Sequence, residues 1–269
     1  MKIAVCIKQV PDSWAEKKMI GGLLDRAGVD AVLNDLDEYA VEAALQLVEA
    51  HSPTGSSGED SGHSITLISM GPERTTEAIR KALSMGADGA ILVTDAALAG
   101  SDALATSLVL SKVLAQGGYD LIFCGTESTD ARMSVVPAML AERLQISQLT
   151  FASKVDAQPA DSKVLIDRST DDGVEKMEAP FPCVVSVVEK INEPRYPSFK
   201  GIMAAKKKSI AVMSLADLGI EAASVGSSAA LSVVKDATAR PPRAMGIKVV
   251  DEGNGGNALV DFLIEKRVI

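Results

Sequence analysis

Histidine is almost missing from this chain of 269 residues: His51 and His63 are the only two, and both flank a Gly/Ser-rich stretch. Neither is placed for general acid–base chemistry. Aromatic residues make up 3% of the chain although hydrophobic residues make up 47%. The interior must therefore be built from Ala, Val, Leu and Ile, a composition that suits helices packed on a parallel sheet. The three cysteines, Cys6, Cys124 and Cys183, lie far apart in apolar segments. That spacing fits neither a metal site nor a disulfide framework, and reduced core thiols are expected. Positive charge is also short, with 27 Lys and Arg against 36 Asp and Glu for a net charge of −9. Nonspecific binding to nucleic acid needs the opposite balance. There is no P-loop, no dinucleotide fingerprint, no secretory leader pattern and no apolar run of membrane-spanning length, so a cytoplasmic protein without membrane insertion is expected. The length allows one large domain, with or without an appendage.

What is present in the first half is an alternation of strand and helix. Ile3 to Val10 reads as a strand that ends in Lys8 and Gln9, and a strand so early in the chain should be central in its sheet. Asn34 and Asp35 open a helix, with Asp35 and Glu38 in capping-box spacing and Leu36, Ala40, Ala43 and Leu47 at helical period. Ser52 to Gly62 reads as a mobile surface loop. Strands follow at Ile65–Met70, Ala90–Thr94 and Leu121–Cys124. Between and after them come helices begun at Pro72, capped by Ser101, and near Pro137–Leu144. This rhythm predicts an α/β fold with a doubly wound, mainly parallel sheet and right-handed crossovers.

The second half changes character. Phe151–Val155, Val164–Arg168 and Gly173–Glu178 read as short exposed strands, with a hairpin turn at Thr170-Asp171-Asp172-Gly173. Carboxylates at Asp171, Asp172 and Glu175 could be metal ligands, but in a hairpin turn they read more simply as solvated. Cys183–Val188 is a buried strand. From about residue 220 to 245 the chain is rich in Ala, Ser, Gly and Pro, and a last amphipathic segment runs from Ala258 to Arg267. A helix on so long a tether must fold back or dock elsewhere. The expected division is therefore residues 1–219 as an α/β domain and 220–269 as a linker and C-terminal arm.

Ligands of open α/β sheets bind beyond the carboxyl ends of the strands. The best candidate is the segment Gly125-Thr126-Glu127-Ser128-Thr129-Asp130-Ala131-Arg132-Met133-Ser134-Val135-Val136, which follows a strand and precedes a helix. It is rich in hydroxyls and backbone donors at a helix N-terminus, where an anion is readily held. A polar capping loop is the alternative. The second feature is residues 192–208, with two prolines, two aromatics and three closing lysines. Pro194 and Pro197 exclude a helix interior or a central strand, so a stiff exposed loop is expected, with Phe199 near its tip as an apolar anchor for a partner. Lys206 to Lys208 read either as steering charge or as a solvated helix face. Trp14 follows a Pro-Asp turn and most simply packs on a neighbouring helix or subunit.

The run Asn192-Glu193-Pro194-Arg195-Tyr196 closely resembles the signature of the β (small) subunit of electron-transfer flavoproteins. Supporting matches run through the chain: Lys8-Gln9-Val10-Pro11-Asp12, Met70-Gly71-Pro72, Ala82-Leu83-Ser84-Met85-Gly86-Ala87-Asp88 and the Asp-Gly at 172–173. The resemblance implies a Rossmann-like, adenine-nucleotide-binding fold with a small β-hairpin excursion and an arm that embraces an α subunit. It implies an electron carrier rather than an enzyme: a heterodimer in which FAD is held mostly by the α subunit and AMP by this one. Electrons would pass from flavin dehydrogenases, such as the acyl-CoA dehydrogenases of fatty acid oxidation, towards a quinone oxidoreductase. By position, the implied AMP contacts are Cys6, Asn34, Asp35, Leu36, Asp37, Met70 and the twelve residues from Gly125 to Val136. The implied partner contacts are Asn192, Glu193, Pro194, Arg195, Tyr196 and Phe199, with Phe199 filling a pocket on the dehydrogenase. Many members read Gly-Lys-Gln where this chain has Gly125-Thr126-Glu127, and Arg132 is expected to replace the missing lysine in part. Two other readings stay open: a bifurcating relative with a second FAD in place of AMP, and a stand-alone nucleotide-binding protein of the same superfold.

Overall fold

The computed structural model describes residues 1–52, 62–243 and 245–269. Apart from its two end residues, the loop expected over Ser52–Gly62 lies outside them. The elements in chain order are β1 (Lys2–Cys6), β2 (Gln9–Pro11), β3 (Met19–Ile20), β4 (Leu23–Leu24), β5 (Ala31–Leu33), α1 (Asp35–His51), β6 (Ser64–Met70), α2 (Thr76–Met85), β7 (Gly89–Val93), α3 (Ala103–Gly117) and β8 (Leu121–Gly125). They continue with α4 (Val136–Leu144), β9 (Ser147–Gln158), β10 (Lys163–Thr170), β11 (Gly173–Pro180), β12 (Cys183–Val187), α5 (Phe199–Lys207), β13 (Ile210–Met213), α6 (Gly226–Ala229) and α7 (Gly255–Glu265).

The main sheet has nine strands in the order β11-β10-β9-β12-β8-β1-β6-β7-β13. β1 sits between β8 and β6, parallel to both, as its apolar sequence and early position require. Alternate residues of the central strands feed two cores. Ile3, Val5, Leu67 and Phe123 pack with α1 and α2, while Ala4, Ile68 and Ile122 pack with α3 and α4. Each large aliphatic side chain fully buried in this way contributes about 1.5–3 kcal/mol. The fold class is therefore α/β, with a mostly parallel sheet covered by helices on both faces.

Several local expectations need correction. Asn34 is the residue before α1, but its side chain caps nothing, and the Asp35/Glu38 box does not form: Glu38 pairs with Lys81 instead. Asp102, not Ser101, caps α3 by accepting from the amide of Ala105 at 3.0 Å. The strands of the hairpin region are longer than expected and are part of the main sheet, where they form an antiparallel flank. Their charged outer faces hid this length from a reading by hydrophobicity. Residues 199–207 form a helix; the prolines stop short of it, and Ser198 caps it by accepting from the amide of Gly201 at 3.0 Å. Strand β13 closes one sheet edge and was hidden behind the lysines. Lys208 is not part of a solvated cluster, since its ammonium donates to the carbonyls of Gly86 and Ala87.

Packing divides the chain into Met1–Lys235 and Asp236–Ile269. The Ala/Ser/Gly-rich stretch after residue 219 is thus partly held on the first unit. Ile220 and Val225 are buried, and the amides of Gly226 and Leu231 donate to Ser101 and Asp102. The second unit contains α7, which starts three residues earlier than expected and buries no residue.

Candidate nucleotide crevice at the strand ends

From β1 the chain steps through α1 to β6 and through α2 to β7, moving one way across the sheet. It then returns through α3 to β8, on the other side of β1. The carboxyl ends of β1 and β8 therefore flank a topological switch point, where connections leave in opposite directions and open a crevice. Cys6 and Cys124 stand opposite each other there in the strand register.

Short local structure brings the polar groups to this point. Antiparallel pairing of β2 with β5 folds the chain back, so that the Asn34 amide donates to the Lys8 carbonyl at 2.9 Å. The first turn of α1 then lies on the end of β8. A side chain at Gly125 would fall 2.7 Å from Asp37 Oδ1 and 2.9 Å from the Leu36 carbonyl oxygen, so only glycine allows this approach. Asn34 is buried and ties the two segments together. Its Nδ2 donates to Asp37 Oδ1 at 2.9 Å and to the Glu127 carbonyl at 3.0 Å, and its Oδ1 accepts from the amide of Thr129 at 3.0 Å. Asp37 Oδ2 accepts from the amide of Lys8 at 2.7 Å. Thr126 donates through both its amide and its hydroxyl to the Val187 carbonyl, which pins the loop to β12.

The charges are arranged in pairs. Lys8 Nζ donates to Asp130 Oδ1 at 2.8 Å and to Ser128 Oγ at 3.1 Å, and Arg26 reaches Asp130 Oδ2. Arg74 holds the Arg26 segment in place by donating to the carbonyls of Arg26 and Val29. Burial alone would push the Asp130 carboxyl up, but Lys8, Ser128 and Arg26 together hold it down at about 2. Asp37 behaves oppositely. Burial pushes it up to about 7 against the hydrogen bonds from Asn34 and from the Lys8 amide. The Cys124 thiol is held well above its ordinary value by its hydrogen bond to Cys6 and by burial.

The loop from Ser128 to Val136 offers backbone donors. Arg132 and Ser134 both take positive φ, 50° and 55°, which is costly for non-glycine residues, and Val135 returns to the right-handed helical region. Such a change of hand before a helix turns successive amides into one concavity, a nest for an anion. The amides of Met133, Ser134 and Val135 have no acceptor among the described residues. Arg132 is exposed and its guanidinium has no partner among them either, whereas Glu127 Oε2 accepts from Ser134 Oγ at 3.0 Å. A phosphate fits the free amides and Arg132. Lys8 and Arg26 are already matched to Asp130 and shape the loop instead. Cys6 and Met70 are half-buried at adjoining strand ends, and Leu36 backs Gly125, while the Asp35 side is exposed. Two surface hollows of about 410 and 220 Å³ lie elsewhere, against α2 with β13 and against α2 with α5. The convergence of polar groups at the switch point locates the candidate site better than those shallow volumes do.

Of the nucleotide residues expected from sequence, Asn34, Asp37, Gly125 and the Thr126–Asp130 segment converge directly. Sequence reasoning missed Lys8 and Arg26 as loop-shaping cations. Lys8 had a signal, a cation at the end of a central strand; Arg26 had none. In the second feature, Tyr196 and Phe199 are 95% and 80% exposed, whereas Asn192 and Arg195 turn inward against α1. Glu193 is exposed and Pro194 half-buried. Trp14 is 95% exposed rather than packed among the described residues. No cluster of three or more metal-ligating side chains exists among the described residues.

Sheet order and the crevice at the switch point define a doubly wound, Rossmann-like α/β protein. The electron transfer flavoprotein domain model matches residues 21–218. The chain is 48% identical over 270 residues to an electron transfer flavoprotein subunit beta of Mycobacterium tuberculosis, covering 99% of each chain. A protein of the same name from Megasphaera elsdenii is 35% identical, with 100% of this chain and 98% of that one covered. A subunit of a caffeyl-CoA reductase-Etf complex from Acetobacterium woodii is 32% identical over the full length of both. The chain belongs to the electron transfer flavoprotein family, in its β-subunit branch, and a β subunit implies an α partner.

Proposed function

We propose that this chain is the β subunit of a heterodimeric electron carrier in the cytoplasm and transforms no substrate of its own. With an α subunit it helps hold FAD, which supplies the electron-accepting and electron-donating chemistry. Its switch-point crevice holds AMP as a structural group: the amides of residues 133–135 and Arg132 receive the phosphate, and Asn34 fixes the loop that presents them. Tyr196 and Phe199 are offered to flavin dehydrogenases, acyl-CoA dehydrogenases among them, and a quinone oxidoreductase takes the electrons onward. The observation that carries this reading is the coincidence of the switch point with the free amides after β8. The likeness to a caffeyl-CoA reductase complex subunit favours one competing reading, in which a second FAD occupies the crevice.

The test is coexpression with the α subunit. The chain alone should purify colourless, and the heterodimer yellow. The heterodimer should be reduced by an acyl-CoA dehydrogenase supplied with its acyl-CoA. A yellow, stable single chain, or a heterodimer that accepts electrons from NADH and not from the dehydrogenase, would contradict the proposal.

A further inference from the structure

Arg195 lies in the middle of the partner-facing segment, yet its side chain points back into the protein. Its Nε donates to Glu42 Oε2 at 2.7 Å and one terminal nitrogen to Glu42 Oε1 at 3.0 Å, a two-pronged grip on one carboxylate. Its terminal nitrogens also reach both oxygens of Glu49, at 2.6 and 3.0 Å. Its own amide donates to Glu42 Oε2 at 3.2 Å. Glu42 and Glu49 are seven residues apart on α1, two helical turns, so they face the same way and clasp one planar guanidinium between them. The Glu42 side chain is only 4% exposed, and its remaining neighbour, Gln46, donates to Oε1 at 2.9 Å. Three residues before the clasp, Asn192 donates to the carbonyl of Tyr39, also on α1. The next residue after Arg195, by contrast, is Tyr196, fully in solvent.

We propose that Arg195 is a positioning residue: a strut that fixes the partner-facing segment to α1 and holds Tyr196 and Phe199 ready for docking, without itself touching the partner. Between residues 188 and 198 the segment forms no strand or helix, so side-chain ties set its direction between Asn192 and the cap of α5, and Arg195 makes most of them. Pro194 and Pro197 stiffen the backbone on both sides, and the strut converts that stiffness into orientation. Glu42 belongs to the same helix whose first turn builds the nucleotide crevice through Asn34 and Asp37. One rigid element thus places both features. The docking half of this inference rests on the proposed function; the strut does not.

Heterodimers carrying Arg195→Ala, Arg195→Lys, Glu49→Gln and Phe199→Ala separate the two. Amide hydrogen exchange over residues 192–204 reads the strut by itself. Arg195→Ala should accelerate that exchange, with Arg195→Lys intermediate because an ammonium cannot bridge two carboxylates as a planar fork does. Unchanged exchange in Arg195→Ala overturns the strut. If that variant does not assemble, Glu49→Gln, at an exposed position, should still accelerate exchange, and its failure to do so overturns the strut equally. Reduction by an acyl-CoA dehydrogenase reads the docking. If freeing the segment leaves about a tenth of molecules in the docking orientation, the apparent KM for the dehydrogenase rises about tenfold with kcat retained. A KM unaltered in Arg195→Ala but raised in Phe199→Ala overturns the orienting role. A KM unaltered in Phe199→Ala sinks the docking reading and leaves the exchange result to decide the strut.

Discussion

Lys8 and Asp130 meet at 2.8 Å across the crevice, joining the chain just after β1 to the loop after β8, with the Asp130 side chain only 1% exposed. Neither residue belongs to a regular element, and each fixes the direction of the other's segment. Removing the lysine leaves a buried carboxylate with Arg26 as its remaining cation. Lys8→Met should therefore cost about 1–2 kcal/mol, less than a wholly buried pair because both cations are partly hydrated. The Asp130 carboxyl, ordinarily near 3.8, is held at about 2 in the fold. Its contribution is therefore complete above about pH 4 and fades as pH falls towards 2. Thermal unfolding of the heterodimer between these values should show a steeper acid loss in the parent than in Lys8→Met; identical curves would contradict the role.

Asp37 should give a slope of opposite sign. Its value is raised to about 7 in the fold, so the folded state binds a proton that the unfolded chain has released above about pH 4. Stability from this group is present in acid and is lost as pH rises through about 7. Asp37→Asn removes the titration but turns an amide donor towards the Lys8 amide or the Asn34 side chain, at a cost of about 1–3 kcal/mol. Urea midpoints measured from pH 4 to 8 should converge between parent and variant as pH rises. Parallel profiles would show that Asp37 does not titrate there.

Gly125→Ala should be among the more damaging single-methyl changes in the chain. The added carbon would meet Leu36 backbone at 2.8 and 2.9 Å, atoms that cannot rotate away. Overpacking of this kind costs about 1–3 kcal/mol and should pry α1 from the end of β8. The expected result is a lower Tm together with less copurifying adenine nucleotide; full nucleotide content would contradict the placement of the site.

Ending the chain after Lys235 removes α7 and its tether but leaves the described core of the first unit whole. Two apolar side chains of α7, Leu259 and Ile264, are more than half exposed. The truncated chain should keep its far-ultraviolet circular dichroism per residue in the sheet region and lose its ability to pull down the α subunit. Undiminished heterodimer on size-exclusion chromatography would show that the arm is not part of the assembly.

The parallel sheet was legible because its strands are buried on both faces and read as continuous apolar runs, as in Leu121-Ile122-Phe123-Cys124. Strand β13 and helix α5 were not, because half-exposed sequence such as Lys206-Lys207-Lys208-Ser209-Ile210 carries little periodic signal. At the crevice, Gly125, Asn34 and Asp130 could be found from position after a strand or before a helix. The use of Asn34 as a tie between loops, rather than as a cap, depends on Glu127 and Thr129, some 93 residues away or more. Arg195 shows the same limit: an arginine between two prolines reads as exposed until Glu42 and Glu49 are placed beneath it.

The most direct test of the account is a count of the nucleotides released when the purified heterodimer is denatured, in the parent and in Arg132→Ala. The account predicts one FAD and one AMP per parent heterodimer, and the same FAD with reduced AMP in Arg132→Ala, which lacks the guanidinium that meets the phosphate in the parent. Two FAD and no AMP would hand the crevice to a second flavin, and one FAD with no further adenine nucleotide would leave it without the occupant proposed here.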